Sequence, residues 1–357
     1  MPLPPLRFQP ILKARAWGGR SLARFGKAVP APPAPPVGES WEIADLPPPV
    51  ADGVSRVADG PFQGQTISQL IESHRTALLG RTATGAGARF PLLVKYLDAA
   101  ENLSIQVHPT AAYAARHPGA HLKTEAWLVL DAVPGACIYR GVREDVEPAC
   151  FRAAIDGGTA VELLVREDVR AGDCIPLESG LCHALGAGVV VAEVQTPSDT
   201  TFRVFDWNRN DPARPLHVDQ AMECILFGAE QRLAERPVTN LERSGAAWSD
   251  GLRAAVLCAN GHFEIEAIEG SPSGDAGPMA WVTGGTPDVL MLVRGEAVME
   301  SEGHRPEHLR AGDTVLMPAD LVATTVDLGP ESMLLRASAP DPARRLRDGW
   351  RAGERRA

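Results

Sequence analysis

The stretch Arg170-Ala171-Gly172-Asp173-Cys174-Ile175-Pro176 decides the fold, because it recurs in outline as Arg310-Ala311-Gly312-Asp313-Thr314-Val315-Leu316. Each copy follows a series of short strand patterns and carries a Gly-Asp turn that leads into a β-rich segment. Turns of this kind ahead of strands are typical of double-sheet jelly rolls. We therefore predict an all-β-dominated chain built of two jelly-roll halves with a few short helices.

The two copies differ at the position thirteen residues after their arginine, which is His183 in the first copy and Ala323 in the second. A histidine can hold a metal ion and an alanine cannot. We therefore expect the chemistry in the first half and a metal-free second half. The expected boundaries are a catalytic domain over residues 1–240, a second jelly-roll domain over 241–340, and a flexible basic tail over 341–357.

Length and composition agree with this organisation. The 357 residues exceed the usual size of one domain, and the 34 glycines and 31 prolines favour short strands and turns. The net charge of −10 argues against a nucleic-acid or anionic-membrane partner. The N-terminus has no apolar signal core, no run approaches membrane-spanning length, and the cysteines form no C-x-x-C pairs. We therefore expect a cytoplasmic protein, either a monomer or a homodimer.

Hydrophobic periodicity predicts the individual elements. The predicted strands are Ser40–Ile43, a strand-turn-strand over Phe90–Gln106, Ala126–Leu130, Ala136–Tyr139, Val161–Val165, Asp173–Pro176, Val189–Gln195 and Thr201–Phe205. The predicted helices are Thr66–Leu79, a brief turn at Thr110–Ala115, and Val218–Phe227, after which strand patterns resume.

The run Leu103-Ser104-Ile105-Gln106-Val107-His108-Pro109 contains the first candidate metal ligands. Gln106 and His108 are two residues apart, so in a strand they project from the same face. Glu125 and His183 add a carboxylate and a second imidazole, which completes a nitrogen and oxygen set suited to a divalent ion such as zinc. The alternative is an ordinary strand with two solvated polar residues.

Several segments resemble the type I mannose-6-phosphate isomerases in their short bacterial form. The segments are Leu103–Pro109, Lys123–Trp127, His183–Gly186, Ser198–Asp206, Trp17–Gly19, Gly38–Glu42 and Gly60-Pro61. The resemblance covers most of residues 6–340. It implies a cupin-type enzyme, with one Zn²⁺ per chain, that interconverts mannose 6-phosphate and fructose 6-phosphate through a cis-enediol. The interval between Glu125 and His183 is too short for the helical domain that longer members insert.

The resemblance also assigns the four metal ligands to Gln106, His108, Glu125 and His183. Lys123 stands two residues before Glu125, so in an extended segment it shares the face of that ligand. A nearby dication would favour its neutral amine, which could carry a proton during isomerisation; a surface lysine is the alternative.

Arg203 lies in the alternating run Thr201-Phe202-Arg203-Val204-Phe205, and we expect the aromatic residues on one face and Arg203 on the other. If that face lines the barrel, the guanidinium needs an anion such as a sugar phosphate or an enediolate. Arg209 is the weaker candidate for this role. Glu193 is the third candidate catalytic residue and could bind sugar hydroxyls or tune Lys123. The candidate substrate-binding residues are Trp17, Lys95 and Ser104.

Two departures from the family pattern, Ala126 and Arg140-Gly141-Val142, could alter the shape of the pocket. Two other function classes remain possible from the sequence: a cupin dioxygenase that uses iron or manganese, and a non-catalytic cupin that binds sugar or regulates. The remaining histidines that we considered as ligands are predicted to be surface residues; these are His117, His121, His217, His304 and His308.

Overall fold

The computed structural model describes residues 2–83, 89–209 and 211–339, and within these ranges the chain is dominated by strands, as predicted. The strands are β1 (Leu6–Arg7), β2 (Ile11–Gly19), β3 (Val37–Ile43), β4 (Leu93–Ala99), β5 (Ile105–Val107), β6 (Glu125–Ala132), β7 (Cys137–Val142), β8 (Leu164–Asp168), β9 (Cys174–Leu177), β10 (His183–Leu185), β11 (Val189–Gln195), β12 (Phe202–Phe205), β13 (Leu252–Ala259), β14 (Glu264–Gly270), β15 (Met279–Ala280), β16 (Asp288–Arg294), β17 (Glu296–Ser301), β18 (Glu307–Arg310), β19 (Thr314–Met317), β20 (Thr324–Leu328) and β21 (Met333–Ser338). The α-helices are α1 (Ile67–Leu79), α2 (Ala111–Arg116), α3 (Pro148–Asp156), α4 (Val218–Cys224) and α5 (Gly228–Ala234). The predicted basic tail, 341–357, lies outside the described residues.

The chain divides into two compact units, and each contains two sheets. One unit comprises Pro10–Glu42 and Leu93–Asn240, and its sheets have the strand orders β2-β3-β4-β11-β6-β9 and β12-β5-β10-β7-β8. The other is formed by the described residues within Met1–Gln9, Ile43–Leu92 and Leu241–Ala357, with the orders β1-β19-β16-β21-β14-β13 and β15-β20-β17-β18. Both units are therefore double-sheet jelly rolls, which confirms the predicted fold class. The domain boundary at 240/241 stays a prediction.

The two Gly-Asp turns that suggested the repeat have the same backbone structure. Gly172 and Gly312 both have a positive φ, +92° and +101°, a region that favours glycine. The carboxylates of Asp173 and Asp313 each accept the backbone N–H of the arginine three residues earlier, at 3.1 and 2.8 Å. The two copies of the motif therefore share one turn geometry, since glycine supplies the conformation and aspartate closes the turn.

The turns also hold equivalent strands. Gly172 N–H donates to the carbonyl of Val129 at 2.8 Å, and Gly312 N–H donates to that of Leu292 at 2.7 Å. The strand register shifts immediately after Val129 and immediately after Leu292. Leu130 and Val293 are therefore the extra residues of two β-bulges. Val129 and Leu292 therefore occupy the same position in the two jelly rolls.

Apolar side chains fill the interior of each jelly roll. In the unit of residues 10–42 and 93–240, one cluster joins residues of both sheets, including Trp17, Leu97, Trp127 and Ile138. A second cluster packs α3 and α4 against the five-stranded sheet. Two packed sheets are about 10 Å apart, so side chains that point inward from both sheets contact one another directly. No helix among the described residues is long and apolar enough to cross a membrane.

The predicted helix at Thr66–Leu79 is confirmed as α1, and its start follows from local chemistry. The Thr66 side chain accepts the backbone N–H of Gln69, while the Gln69 side chain accepts the backbone N–H of Thr66. This capping box satisfies donors that the first helical turn would leave free. The buried residues Ile67, Leu70, Ile71 and Leu78 then recur at helical spacing.

Two predicted elements were wrong in type or length. The apolar run Val161–Val165, predicted as a strand, is a 3-10 turn over Ala160–Leu163, and β8 begins only at Leu164. The run is buried against the helices beside the five-stranded sheet, so its hydrophobicity reflects packing and not strand pairing. The helix predicted over Val218–Phe227 ends at Cys224, because the next residues extend and Leu226 N–H donates to Gly180.

The position of Glu125 has an acidic counterpart in the second jelly roll. Glu125 lies four residues before Val129, and Asp288 lies four residues before Leu292. Asp288 is fully buried, with its carboxylate 3.0 Å from Arg336 Nε and 2.5 Å from the Ser338 hydroxyl, which donates to it. An arginine therefore neutralises the buried acid in this half.

We predict that Arg336→Met destabilises the protein by about 3–5 kcal/mol, because it leaves the Asp288 carboxylate buried without its partner. The measurement is the shift of the denaturant unfolding midpoint. Arg294→Met is the matched control, since Arg294 is half exposed where it contacts Glu269, and its loss should cost less than about 1 kcal/mol. Equal shifts in the two variants would contradict the prediction.

Candidate active site

The predicted metal ligands meet at one end of the first jelly roll. His183 on β10 pairs directly with Gln106 on β5, and His108 follows that strand. Glu125 begins β6 in the facing sheet. Its carboxylate oxygens lie 3.1 Å from His108 Nε2 and 3.3 Å from His183 Nε2, and the Gln106 amide nitrogen is 3.4 Å from His183 Nε2. Strand pairing brings Gln106 and His183 together, His108 follows the same strand, and the facing sheet adds Glu125.

Burial and neighbouring charge shift the pKa values of two of these side chains. Burial, together with the charge of Lys123, lowers the pKa of His108 to about 3, so its imidazole is neutral. Burial alone would raise the pKa of Glu125, but the neighbouring positive charge of Lys123 holds it well below the usual range. His183 Nδ1 lies 2.8 Å from the carbonyl of Leu181, which can only accept, so Nδ1 carries a hydrogen and Nε2 is the ring nitrogen that faces Glu125.

The donor set therefore fits a divalent cation. A neutral imidazole nitrogen and a carboxylate oxygen that face each other at 3.1 Å need either the ring's own N–H or a cation between them. Both nitrogens of His108 and both oxygens of Glu125 are buried and make no hydrogen bond within the described residues. His108, Glu125 and His183 are the one His/Cys/Asp/Glu cluster of this kind in the described part of the chain.

Lys123 contacts the same carboxylate from the other side. Its Nζ lies 3.1 Å from Glu125 Oε2, and the side chain is almost completely buried. The two-residue spacing in an extended segment brings the amine to the face of Glu125, as the sequence suggested.

Glu193 and Lys95 form a second charged group on the six-stranded sheet. Glu193 pairs across strands with Lys95 on one side and Trp127 on the other. Lys95 Nζ lies 2.9 Å from Glu193 Oε1 and donates to the side-chain oxygen of Gln195 at 2.6 Å, while Trp127 Nε1 donates to Glu193 Oε2 at 3.0 Å. Burial raises the pKa of Glu193 against the opposing effect of Lys95. The Lys95 amine already has acceptors within the protein. Its role in substrate binding stays a prediction.

Glu39 completes this group, and the sequence reading did not single it out as a site residue. It accepts hydrogen bonds from Arg15 Nε at 2.7 Å and Trp41 Nε1 at 2.6 Å, and it lies 3.9 Å from Lys95 Nζ. Burial alone would raise its pKa, but Lys95 and Arg15 lower the pKa to about 2. Glu39 lies within the segment Gly38–Glu42 that resembles the family. Its partners Arg15 and Lys95 are distant in sequence, so the local pattern does not identify them.

Arg203 lies beside Gln106 on the edge strand β12. Strict alternation would place Phe205 on the same face as Arg203, but a bulge at Val204 returns Phe205 to the apolar cluster. Phe202 and Phe205 therefore lie on one side of β12 and Arg203 on the other, as expected. The bulge, and not simple alternation, produces this arrangement. Arg203 Nε is buried and has no hydrogen-bond acceptor among the described residues.

A cavity of about 640 Å³ opens beside the cluster. All predicted catalytic and substrate-binding residues line it together with one metal-ligand candidate; these are Trp17, Lys95, Ser104, Gln106, Lys123, Glu193 and Arg203. The sequence reading missed further lining residues, among them Arg15, Glu39, Asp199, Arg214 and His217. The prediction of His217 as a surface residue was wrong, because this half-buried histidine lies on the cavity wall. Neither Ala126 nor Arg140 lines the cavity.

Comparison with known proteins gives a consistent family assignment. Residues 6–140 match the family model for the catalytic domain of type I phosphomannose isomerase. The chain is 33% identical over 320 residues to the mannose-6-phosphate isomerase of Streptococcus mutans, covering 88% of this chain and 92% of that protein. The chain belongs to the type I mannose-6-phosphate isomerase family.

Other relatives of this type I isomerase family member agree. It is 40% identical over 225 residues to mannose-6-phosphate isomerase ManA of Bacillus subtilis, covering 62% of this chain and 68% of that protein. The crystal structure of the mannose 6-phosphate isomerase from Bacillus subtilis superposes with a TM-score of 0.78 at 28% identity, covering 94% of this chain and 99% of that one.

We predict that Glu39→Gln lowers the stability of this family member at neutral pH and has less effect in acid. A carboxyl whose pKa falls from about 4.3 in the unfolded chain to about 2 in the fold stabilises the native state above pH ~4.3. This contribution, about 3 kcal/mol at 1.36 kcal/mol per unit, disappears as the pH falls toward 2. Thermal melting of both proteins from pH 7 to pH 3 tests this, and a constant difference in Tm would contradict it.

Proposed function

We propose that this chain is a zinc-dependent aldose–ketose isomerase that interconverts mannose 6-phosphate and fructose 6-phosphate through a cis-enediol. The observation that carries the proposal is the buried His108–Glu125–His183 cluster beside a cavity whose wall presents Lys123 and Arg203, in a chain that belongs to the type I family. A phosphorylated hexose has the oxygens that such a cluster would bind and the anionic group that a cationic wall would receive.

His108, Glu125 and His183 would hold one Zn²⁺ per chain, with the Gln106 side chain as the fourth ligand. Two imidazoles and oxygen donors suit a borderline d¹⁰ ion, and isomerisation needs no change of oxidation state. When bound, the ion would polarise the sugar carbonyl and stabilise negative charge on the neighbouring oxygens. The hydrogen bond from His183 Nδ1 to Leu181 would fix the imidazole in its binding orientation.

Lys123 would carry the proton between C1 and C2 of the open-chain sugar. Its Nζ is held beside Glu125 and also lines the cavity, so it can reach a substrate bound at the cluster. Glu193 would accept a hydrogen bond from a sugar hydroxyl while it holds Lys95 and Trp127 in place. Arg203 would stabilise the negative charge of the substrate, because it lines the cavity, pairs with Gln106 across strands, and its Nε has no protein acceptor among the described residues.

We expect the purified protein to contain about one zinc ion per chain and to convert mannose 6-phosphate in a coupled assay, with activity lost on chelation and restored by zinc. His108→Ala and His183→Ala should each lose the metal and the activity together, because each removes a ligand. Metal content by mass spectrometry and turnover are the measurements. Full zinc occupancy in the double variant, or oxygen consumption with Fe²⁺ instead of isomerisation, would contradict the proposal.

We predict that Lys123→Met keeps the zinc but lowers kcat by roughly 10²–10⁴, the usual effect of removing a positioned acid–base group. Lysine is not one of the proposed ligands, so metal content separates this variant from the histidine variants. Arg24→Met is a control, because this arginine pairs with Asp131 at an exposed position. Wild-type turnover in Lys123→Met would exclude this residue as the proton carrier.

A further inference from the structure

His217 lies at the end of a row of functional side chains. On the five-stranded sheet, His183 pairs with Gln106, and Gln106 pairs with Arg203 on the edge strand β12. Neighbouring strands are about 4.8 Å apart, so Arg203 is about two strand spacings from His183. His217 extends the row beyond the edge, since its backbone N–H donates to the carbonyl of Arg203 at 2.8 Å.

A second hydrogen bond fixes the imidazole of His217. The backbone N–H of Arg203 donates to His217 Nδ1 at 3.3 Å. Because Nδ1 accepts, the hydrogen of the neutral ring is on Nε2. Burial and the charge of Arg203 lower the pKa of His217, which favours this neutral form. The edge of β12 therefore orients a histidine whose free donor is Nε2–H.

The surroundings of His217 suit an anion. The ring lines the cavity, and no acceptor within the described residues takes the Nε2 hydrogen. Within the described residues no carboxylate forms an ion pair with the Arg203 guanidinium; Asp206 and Asp199, which also lines the cavity, act on its charge only from a greater distance. Arg214, on the same wall, is held by two hydrogen bonds to Asp206, at 2.7 and 3.0 Å.

The charged residues around Lys95 are already paired with one another. Glu125 belongs to the proposed metal cluster, and Glu193 and Glu39 surround the amine of Lys95. A phosphoryl group there would face carboxylates and a lysine that is already paired. At the Arg203 end it would meet one charged donor with a buried, unpartnered N–H and one neutral donor beside it.

We propose that His217 is a substrate-binding residue whose Nε2–H, together with Arg203, receives the phosphoryl group of the substrate. The inference rests on the proposed function and adds a specificity residue to it. The reacting carbons would lie at the metal cluster, and the phosphoryl end would lie along the row at β12. A neutral donor here favours a phosphorylated sugar over the free sugar, because only the phosphoryl oxygens reach it.

The test compares two substitutions that separate binding from structure. Asn at position 217 can keep an acceptor for the Arg203 N–H near the place of Nδ1 but has no donor near Nε2. Gln is longer and can place an N–H donor near Nε2. If His217 binds phosphate, His217→Asn is the weaker enzyme and His217→Gln is close to wild type. If His217 only holds the strand edge, the order is reversed.

With the zinc-loaded full-length protein, we expect His217→Asn to raise KM for mannose 6-phosphate by about 10- to 100-fold, the effect of one hydrogen bond to a charged group, with kcat within about threefold. The Kd for inorganic phosphate, measured by calorimetry, should rise in the same variant, and His217→Gln should stay within about threefold for both quantities. His117→Asn is the matched control, because this histidine lies outside the cavity lining.

The inference is overturned if His217→Asn has wild-type KM and phosphate affinity, if His217→Gln is the weaker variant, or if kcat falls while KM is unchanged. Its failure differs from that of the proposed function. If the wild-type protein does not turn over mannose 6-phosphate but binds inorganic phosphate less tightly after His217→Asn, the isomerase proposal fails and the anion site stands. If the wild-type protein binds no phosphate, the His217 proposal fails.

Discussion

The contact between Glu125 and the two histidines is the interaction on which the rest of the site depends. Nitrogen and oxygen atoms of His108, His183 and Glu125 face one another in a buried volume, and Lys123 supplies one nearby positive charge. Buried charge in a low-dielectric interior needs close counter-charge and hydrogen-bond partners, so the positions of these side chains relative to one another are critical. The contact therefore depends on the relative positions of β5, β6 and β10, because these strands carry or adjoin the three side chains.

The six-stranded sheet carries a ladder of alternating charges beside this contact. Glu193 is held between Lys95 and Trp127 by cross-strand contacts, and Glu39 and Arg15 extend the ladder. Each side chain is fixed by at least one neighbour, so the wall facing the cluster loses little freedom when a substrate enters. Preorganisation of this kind lets binding energy act on the reacting atoms.

The second jelly roll has the same backbone devices with different side chains. The Gly-Asp turn and the bulge after it recur, and Asp288 occupies the position of Glu125. Arg336 pairs across strands with Glu266, where Glu193 pairs with Lys95 in the first half, so the two charges are exchanged. Backbone hydrogen bonds preserve the fold in both halves, whereas a few side chains decide whether the buried acid meets a guanidinium, as Asp288 does, or an amine and two imidazoles, as Glu125 does.

The sequence by itself determined the jelly-roll repeat, the metal-ligand candidates and the closeness of Lys123 to Glu125, because turn chemistry and two-residue alternation are local properties of the chain. Tertiary structure alone decided the contacts of Glu39 and His217. Their partners belong to other strands, and residues 201–205 needed a bulge to place Arg203 and the aromatic residues on opposite sides. A local pattern shows which face a residue shares, but long-range pairing decides which residues it meets there.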